Sequence, residues 1–132
     1  MIASDSGAKG EYLARLFLEQ KGFLFVRANY SRPCGEIDLI LLENDEIVFV
    51  EVKTRSLVSA RQYGRGSEKI DEEKRDRIRK TARQFLREET RLTKGLTPRF
   101  DAVEIYLDPK NEKKVAVLHT PFDFGVRLEK AP

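Results

Sequence analysis

The chain has 132 residues, of which 40% are hydrophobic and 36% are charged. This length predicts a single domain spanning residues 1–132, and the composition is typical of globular proteins rather than disordered or membrane proteins. The 25 basic and 22 acidic residues leave a net charge of +3. That excess is too small to identify a polyanion-binding protein by itself, so the distribution of charge has to be considered.

Three features bear on cellular location. The first residues lack a basic stretch followed by an apolar one, so no secretory signal is indicated. No aliphatic or aromatic run exceeds four residues, whereas a membrane-spanning helix needs about 20. The single cysteine, Cys34, cannot form an internal disulfide. We therefore expect a cytoplasmic protein that does not enter the membrane.

The apolar pattern predicts two helices and five strands in the order α, β, β, β, α, β, β. A helix is expected over residues 4–22 and a strand over 23–30, followed by a turn. Residues 36–42 and 47–54 are typical of a hairpin, and residues 55–66 of a loop. A long helix is expected from Ser67 to before Gly95, then strands over 99–107 and 114–119. This order predicts an α/β fold with a central mixed β-sheet flanked by α-helices.

The predicted hairpin carries the chemically informative residues. If it closes symmetrically, Asp38 lies opposite Glu51 and Glu36 lies opposite Lys53. Opposed carboxylates repel each other, so we expect a positive group between them: Lys53, a divalent cation such as Mg²⁺, or both at once. The alternative is a solvent-facing ribbon with an ordinary ion pair between Glu36 and Lys53. Apolar residues on the opposite faces favour interior strands, on which acids need a partner.

Positive charge is concentrated between residues 74 and 87, where seven basic residues accompany a single acid, Asp76. A helix with this composition suits phosphate neutralisation, although a solvated helix surface remains the alternative. The candidate nucleic-acid contacts are Lys74, Arg77 and Lys80 on this helix and Arg55, Tyr63 and Arg65 in the preceding loop. In that loop, Tyr63 could stack on an exposed base.

Several segments of the sequence resemble a known family. They are Gly10-Glu11 with Ala14 and Leu18, Gly35-Glu36-Ile37-Asp38-Leu39-Ile40, Phe49-Val50-Glu51-Val52-Lys53-Thr54-Arg55, Ile70 with Lys74, and Arg99-Phe100-Asp101. Together they are similar to the YraN family of small bacterial proteins, over about residues 7 to 107. The Asp38…Glu51-x-Lys53 pattern also resembles the signature of the restriction-endonuclease-like (PD-(D/E)xK) nuclease superfamily, which includes archaeal Holliday junction resolvases.

This resemblance implies a restriction-endonuclease-like fold with a Mg²⁺-dependent nuclease centre that would accept Mn²⁺ as a substitute. By that similarity, the metal ligands are Asp38, Glu51, the backbone carbonyl of Val52 and Glu11. Lys53 would orient the attacking water or stabilise charge on the phosphate. The implied substrate is structured or branched DNA in repair or recombination. Two symmetric cuts in a junction would require a homodimer.

Other interpretations remain open at this point. The chain could be a nucleic-acid-binding module without turnover, or an interaction subunit whose acids and Lys53 form only a structural ion network. Glu11 also stands four residues before Arg15, which suits a helix-surface ion pair. We expect His119 and Cys34 to be structural residues, because neither has a catalytic partner at a recognisable spacing. Ile37, where the nuclease signature often has proline, is the one departure from that pattern.

Overall fold

The computed structural model describes residues 4–57 and 72–121 of the chain, with side-chain surroundings for residues 7–57, 72–111 and 113–121. The helices are α1 (Ser4–Gln20), α2 (Glu72–Glu88) and the short α3 (Thr90–Thr93). The strands are β1 (Leu24–Arg32), β2 (Gly35–Glu43), β3 (Glu46–Ser56), β4 (Thr97–Asp108) and β5 (Asn111–Thr120). None of the described helices is long and apolar enough to cross a membrane.

All five strands form one sheet in the order β1-β2-β3-β4-β5. Strands β3 and β4 are parallel, and every other neighbouring pair is antiparallel. A parallel pair needs a crossover connection, and α2 lies on the connection between β3 and β4. The predicted α/β fold with a central mixed sheet flanked by helices is therefore confirmed, and it is consistent with a restriction-endonuclease-like fold.

A hydrophobic core lies on each side of the sheet. The α1 side contains Ala14, Leu18, Phe23, Leu39, Leu41, Val48, Val50, Val103 and Ile105. The α2 side contains Tyr30, Ile37, Ile40, Ile47, Phe49, Ile78, Ala82, Phe85 and Phe100. Because β2 and β3 contribute to both cores, they are interior strands, as their two-sided apolar pattern predicted.

Most element boundaries lie close to the predicted ones. Gly22, with φ 100°, follows the end of α1 as the sequence indicated. The loop predicted from residue 55 is wrong at its start, because Arg55 and Ser56 continue β3 and pair with Tyr106 and Leu107 of β4. The predicted helix start at Ser67 lies outside the described residues, and α2 is followed by α3 before Gly95.

Candidate active site

The strands β2 and β3 separate at the position of the predicted acidic pair. Their ladder includes the predicted pairs Leu42–Ile47 and Ile40–Phe49 and ends at Leu39–Val50. Beyond that point β2 remains paired with β1, while β3 continues beside β4. The predicted ladder pairing of Glu36 with Lys53 is therefore wrong, since Glu36 pairs with Ser31 of β1. We call this separation of β2 and β3 the strand fork.

Asn29 accounts for part of the change in strand direction at the fork. Its φ of 53° lies in the left-handed region, which asparagine tolerates better than most residues. On one side of it, Ala28 pairs with Leu39 and both pack on the α1 side. On the other side, Tyr30 pairs with Ile37 and both pack on the α2 side. The alternation of faces is thus interrupted beside Asp38, in both β1 and β2.

Asp38 and Glu51 meet at the fork through their side chains rather than as a ladder pair. Oδ2 of Asp38 accepts a hydrogen bond of 2.8 Å from the backbone N–H of Val52. Burial, a side-chain hydrogen bond to Glu51 and the charge of Glu51 raise the pKa of Asp38 to about 8, against the opposing effect of the Val52 N–H. The two carboxyl groups therefore lie close enough to affect each other's ionisation.

Lys74 supplies a positive charge beside this acidic pair. Its Nζ lies 2.9 Å from Oε2 of Glu51, although the two residues come from different layers of the fold. The Glu51 side chain is 17% exposed and the Lys74 side chain 39% exposed, so the ion pair lies at the boundary between protein and solvent. The sequence predicted Lys74 as a nucleic-acid contact and did not anticipate this pairing. Lys53 lies two residues beyond Glu51 on β3 and is paired with Glu104 in the parallel register.

Glu11 reaches the edge of the site because α1 approaches β3 closely at Gly10. A Cβ atom at Gly10 would lie 1.8 Å from Oγ1 of Thr54, so a side chain there would force α1 and β3 to shift. Burial raises the pKa of Glu11, a hydrogen bond from Asn29 lowers it, and the charges of Glu36 and Glu51 raise it further. The alternative helix-surface role is less favoured, because Arg15 forms its i,i+4 ion pair with Glu19 at 3.5 Å.

The donor set at the fork fits a magnesium ion. Mg²⁺ binds one or two carboxylates and retains several water ligands, and Asp38 and Glu51 supply two adjacent carboxylates of which one has a raised pKa. A cation would offset the burial and the charge of Glu51 that raise it. Among the side chains of residues 7–57, 72–111 and 113–121, no group of three or more His, Cys, Asp or Glu converges as a metal site. Glu11 lies near enough for the charges of Glu36 and Glu51 to raise its pKa, and its role as a metal ligand stays a prediction.

An open cleft of about 380 Å³ lies over the fork. It is lined by Gly35, Glu36, Asp38, Glu51, Lys74, Arg77 and Ile78. The sheet contributes the carboxylates of this cleft, and α2 contributes its basic side chains. Its two walls therefore suit a cation on one side and an anionic group on the other.

Comparisons with known proteins identify the family. The model of "Uncharacterised protein family UPF0102" matches residues 10–105. The chain belongs to this family. A UPF0102 protein of Caldanaerobacter subterraneus subsp. tengcongensis is 40% identical over 104 residues, covering 79% of this chain and 81% of the relative. One from Pasteurella multocida is 41% identical over 102 residues, covering 77% and 83%. One from Treponema pallidum (strain Nichols) is 36% identical over 118 residues, covering 89% and 90%. The resemblance to the YraN family is thereby confirmed, and the UPF0102 match spans every acid of the site.

The predicted nucleic-acid contacts of this UPF0102 chain are only partly brought together. Arg77 lines the cleft and lies 3.1 Å from Glu73, while Lys80 lies 3.1 Å from Asp76 and is exposed. Ion pairs with neighbouring acids therefore offset part of the positive charge that the sequence of α2 suggested. Arg55 is half-buried on β3, and its Nε lies 3.7 Å from Oε2 of Glu104. Tyr63 and Arg65 lie outside the described residues.

His119 and Cys34 occupy structural positions in the UPF0102 fold. The His119 side chain is 4% exposed, and its Nε2 lies 2.8 Å from Oδ2 of Asp101. Its Nδ1 lies 2.7 Å from Nζ of Lys21. Cys34 lies in the turn between β1 and β2, with its Sγ 3.5 Å from both Gln84 Oε1 and Thr81 Oγ1. Both arrangements agree with the structural roles expected from the sequence.

Proposed function

We propose that this UPF0102 protein is a Mg²⁺-dependent endonuclease of the PD-(D/E)xK superfamily. It would hydrolyse phosphodiester bonds in structured or branched DNA, as Holliday junction resolvases do, during repair or recombination in the cytoplasm. The observation that carries this proposal is the meeting of the Asp38 and Glu51 carboxyl groups at the strand fork. Metal-dependent phosphodiester hydrolysis requires carboxylates that hold the metal ion. Asp38 and Glu51 line a cleft together with basic residues that can bind a phosphate.

The residues of the fork have distinct roles in this proposal. Asp38, Glu51, the carbonyl of Val52 and Glu11 would hold Mg²⁺. A bound Mg²⁺ acidifies water and neutralises charge on a phosphate. The hydrogen bond from the Val52 N–H to Asp38 holds that carboxyl at the fork before any ligand arrives. Lys53, on the same face of β3 as Glu51, would orient the attacking water or stabilise the phosphate with its ammonium group.

The basic wall of the cleft supports a nucleic acid as the substrate. Lys74 and Arg77 line it, and Lys80 is exposed one turn further along α2. Such contacts neutralise backbone phosphates and position a duplex or junction without reading its sequence. Further contacts with the nucleic acid would come from Arg55 on β3 and from Tyr63 and Arg65, which follow it in the chain. Symmetric cleavage of a junction would use two copies of the chain.

A panel of branched, flapped, single-stranded and duplex DNA and RNA, with Mg²⁺ or Mn²⁺, tests the proposal. We expect the wild-type protein to cleave branched DNA, and Asp38→Asn and Lys53→Met to lose at least about 100-fold in rate. Lys94→Met is the matched control, because Lys94 is exposed near the start of β4, at the opposite end of the sheet. Equal rates in wild type and both variants would rule out catalysis at the fork.

One observation favours a second function, a nucleic-acid-binding module without turnover. The ion pair between Lys74 and Glu51 balances one of the two carboxylates with a protein cation. A site that needs no metal could use this pairing permanently. Binding to branched DNA without cleavage under either metal would support the module, whereas neither binding nor cleavage would support an interaction subunit.

A further inference from the structure

Lys74 lies on α2 one helical turn before a residue of the core, and its side chain extends from the helix to the cleft. Ile78, one helical turn further on, is only 7% exposed and packs in the α2-side core. The backbone at Lys74 is therefore held against the sheet, while the four-carbon side chain reaches Glu51 from the cleft wall. With 39% of its side chain exposed, Lys74 borders both Glu51 and the open cleft.

The contact between Lys74 and Glu51 is incompatible with a divalent cation bound to the same carboxylate oxygen. The ammonium group and the metal would compete for Oε2 of Glu51 and would repel each other at that distance. Binding of a metal at Oε2 therefore requires Lys74 to leave that oxygen. A phosphate in the cleft offers the displaced ammonium a new anionic partner, and Arg77 lines the same wall.

We propose that Lys74 is a positioning residue that couples metal binding to nucleic-acid binding. In the free protein its ammonium group neutralises Glu51 and weakens metal binding. When a phosphodiester group enters the cleft, Lys74 transfers to a phosphate oxygen and Glu51 becomes available to the metal. Because coupling is reciprocal, the metal also strengthens nucleic-acid binding. This inference rests on the proposed function and adds an order to it, in which nucleic acid precedes tight metal binding.

Manganese titrations followed by the electron paramagnetic resonance signal of free Mn²⁺ test this coupling. They are done with and without a four-way DNA junction whose phosphorothioate linkages resist hydrolysis. We expect the junction to tighten Mn²⁺ binding to the wild type at least fivefold, within the usual range of coupling. Lys74→Met should bind Mn²⁺ at least fivefold more tightly than the wild type without DNA, and the tightening by DNA should shrink by a similar factor.

Three controls separate this role from a structural one. Lys74→Arg keeps the charge and should retain the weak Mn²⁺ binding of the free wild type. Lys94→Met removes an equal charge at the other end of the sheet and should leave the Mn²⁺ affinity unchanged. Lys74→Gln repeats the neutral substitution, and thermal melting verifies that each variant is folded.

The outcomes distinguish this inference from the proposed function. If folded Lys74→Met and Lys74→Gln bind Mn²⁺ as the wild type does without DNA, the coupling role is wrong. The metal site itself still stands in that case, provided that the wild type binds Mn²⁺ and cleaves unmodified branched DNA with Mg²⁺. If neither the wild type nor the variants bind Mn²⁺ in any arm, both the coupling role and the metal-dependent nuclease are overturned.

Discussion

The backbone N–H of Val52 donates a hydrogen bond of 2.8 Å to Oδ2 of Asp38, across the strand fork. The ladder between β2 and β3 ends at Leu39–Val50, so the Asp38 side chain satisfies a backbone donor that lies beyond the ladder. The peptide group that carries this N–H joins Val52 to Glu51, which bears the second carboxylate of the site. Separation of the strands therefore leaves the Asp38 carboxyl group at the cleft. The hydrogen bond from Val52 fixes its position there.

Asp38→Asn should abolish a pH dependence of stability in the metal-free protein. Burial and Glu51 raise the pKa of Asp38 from 3.8 to about 8, so the folded state binds this proton more tightly than the unfolded chain. The stabilisation is complete below about pH 4 and is lost as the pH rises towards 8. At about 1.4 kcal/mol per pKa unit, the wild type should lose roughly 2 to 5 kcal/mol across this window.

Urea denaturation in EDTA at pH 5 and pH 8 measures this effect. The asparagine variant should be the more stable of the two proteins at pH 8, since it cannot ionise and its amide oxygen can still accept the Val52 hydrogen bond. Asp45→Asn, at the exposed turn of the same hairpin, is the matched control and should follow the wild type. Parallel pH profiles for wild type and Asp38→Asn would contradict the assignment.

Magnesium should stabilise the wild type but not Glu51→Gln. An ion present at about 100 times its dissociation constant contributes about 2.7 kcal/mol, which corresponds to a rise in Tm of roughly 10 °C for a domain of this size. Thermal melting in Mg²⁺ and in EDTA measures the difference. In EDTA alone, the substitution removes the negative charge beside Asp38 but also removes the ion pair with Lys74. We therefore expect little net change in the Tm of the metal-free protein. An equal Mg²⁺-induced rise in both proteins would exclude Glu51 as a ligand.

The sequence predicted the fold and the acidic pair because both depend on local patterns. Alternating apolar residues defined the register of β2 and β3, and the predicted pairing of Ile40 with Phe49 is confirmed. The end of that ladder was not predictable from hairpin symmetry, because it depends on the parallel pairing of β3 with β4, which is distant in the chain. An asparagine within the apolar strand β1, at Asn29, was the local signal of the break.

The contact between Lys74 and Glu51 could not be predicted for a similar reason. The pattern of α2 indicated a basic surface, and most of that surface is exposed. Whether one of its lysines reaches the sheet depends on how the helix packs, and the buried Ile78 sets that orientation. The same packing brings Arg77 to the cleft and leaves Lys80 further along the helix beside Asp76.

Gly10→Ala should destabilise the protein and displace Glu11. The new Cβ would lie 1.8 Å from Thr54 Oγ1 and 3.1 Å from Thr54 Cβ, so α1 must move away from β3. Overpacking of this kind costs about 1 to 3 kcal/mol, which urea denaturation can measure. Adding Thr54→Ala should restore part of the loss, because it removes the closest atom. Gly7→Ala, which meets no atom within 4 Å, is the control and should not destabilise the fold.

Asp101→Asn should have the opposite effect on stability from Asp38→Asn. Asp101 is fully buried, and its carboxylate accepts hydrogen bonds of 2.9 and 2.8 Å from Arg99. It also lies 2.8 Å from Nε2 of His119. The guanidinium of Arg99 also contacts Glu43 at 2.6 Å. Without the charge of Asp101, its positive charge is only partly balanced by acidic groups. Breaking a buried ion pair costs about 3 to 5 kcal/mol, so at pH 8 in EDTA this variant should be less stable than the wild type by about that amount.

The Mg²⁺-induced rise in the Tm of Asp101→Asn should persist, since the carboxylates of the fork are unchanged. Loss of that rise in a folded Asp101→Asn protein would mean that the buried network also organises the metal site.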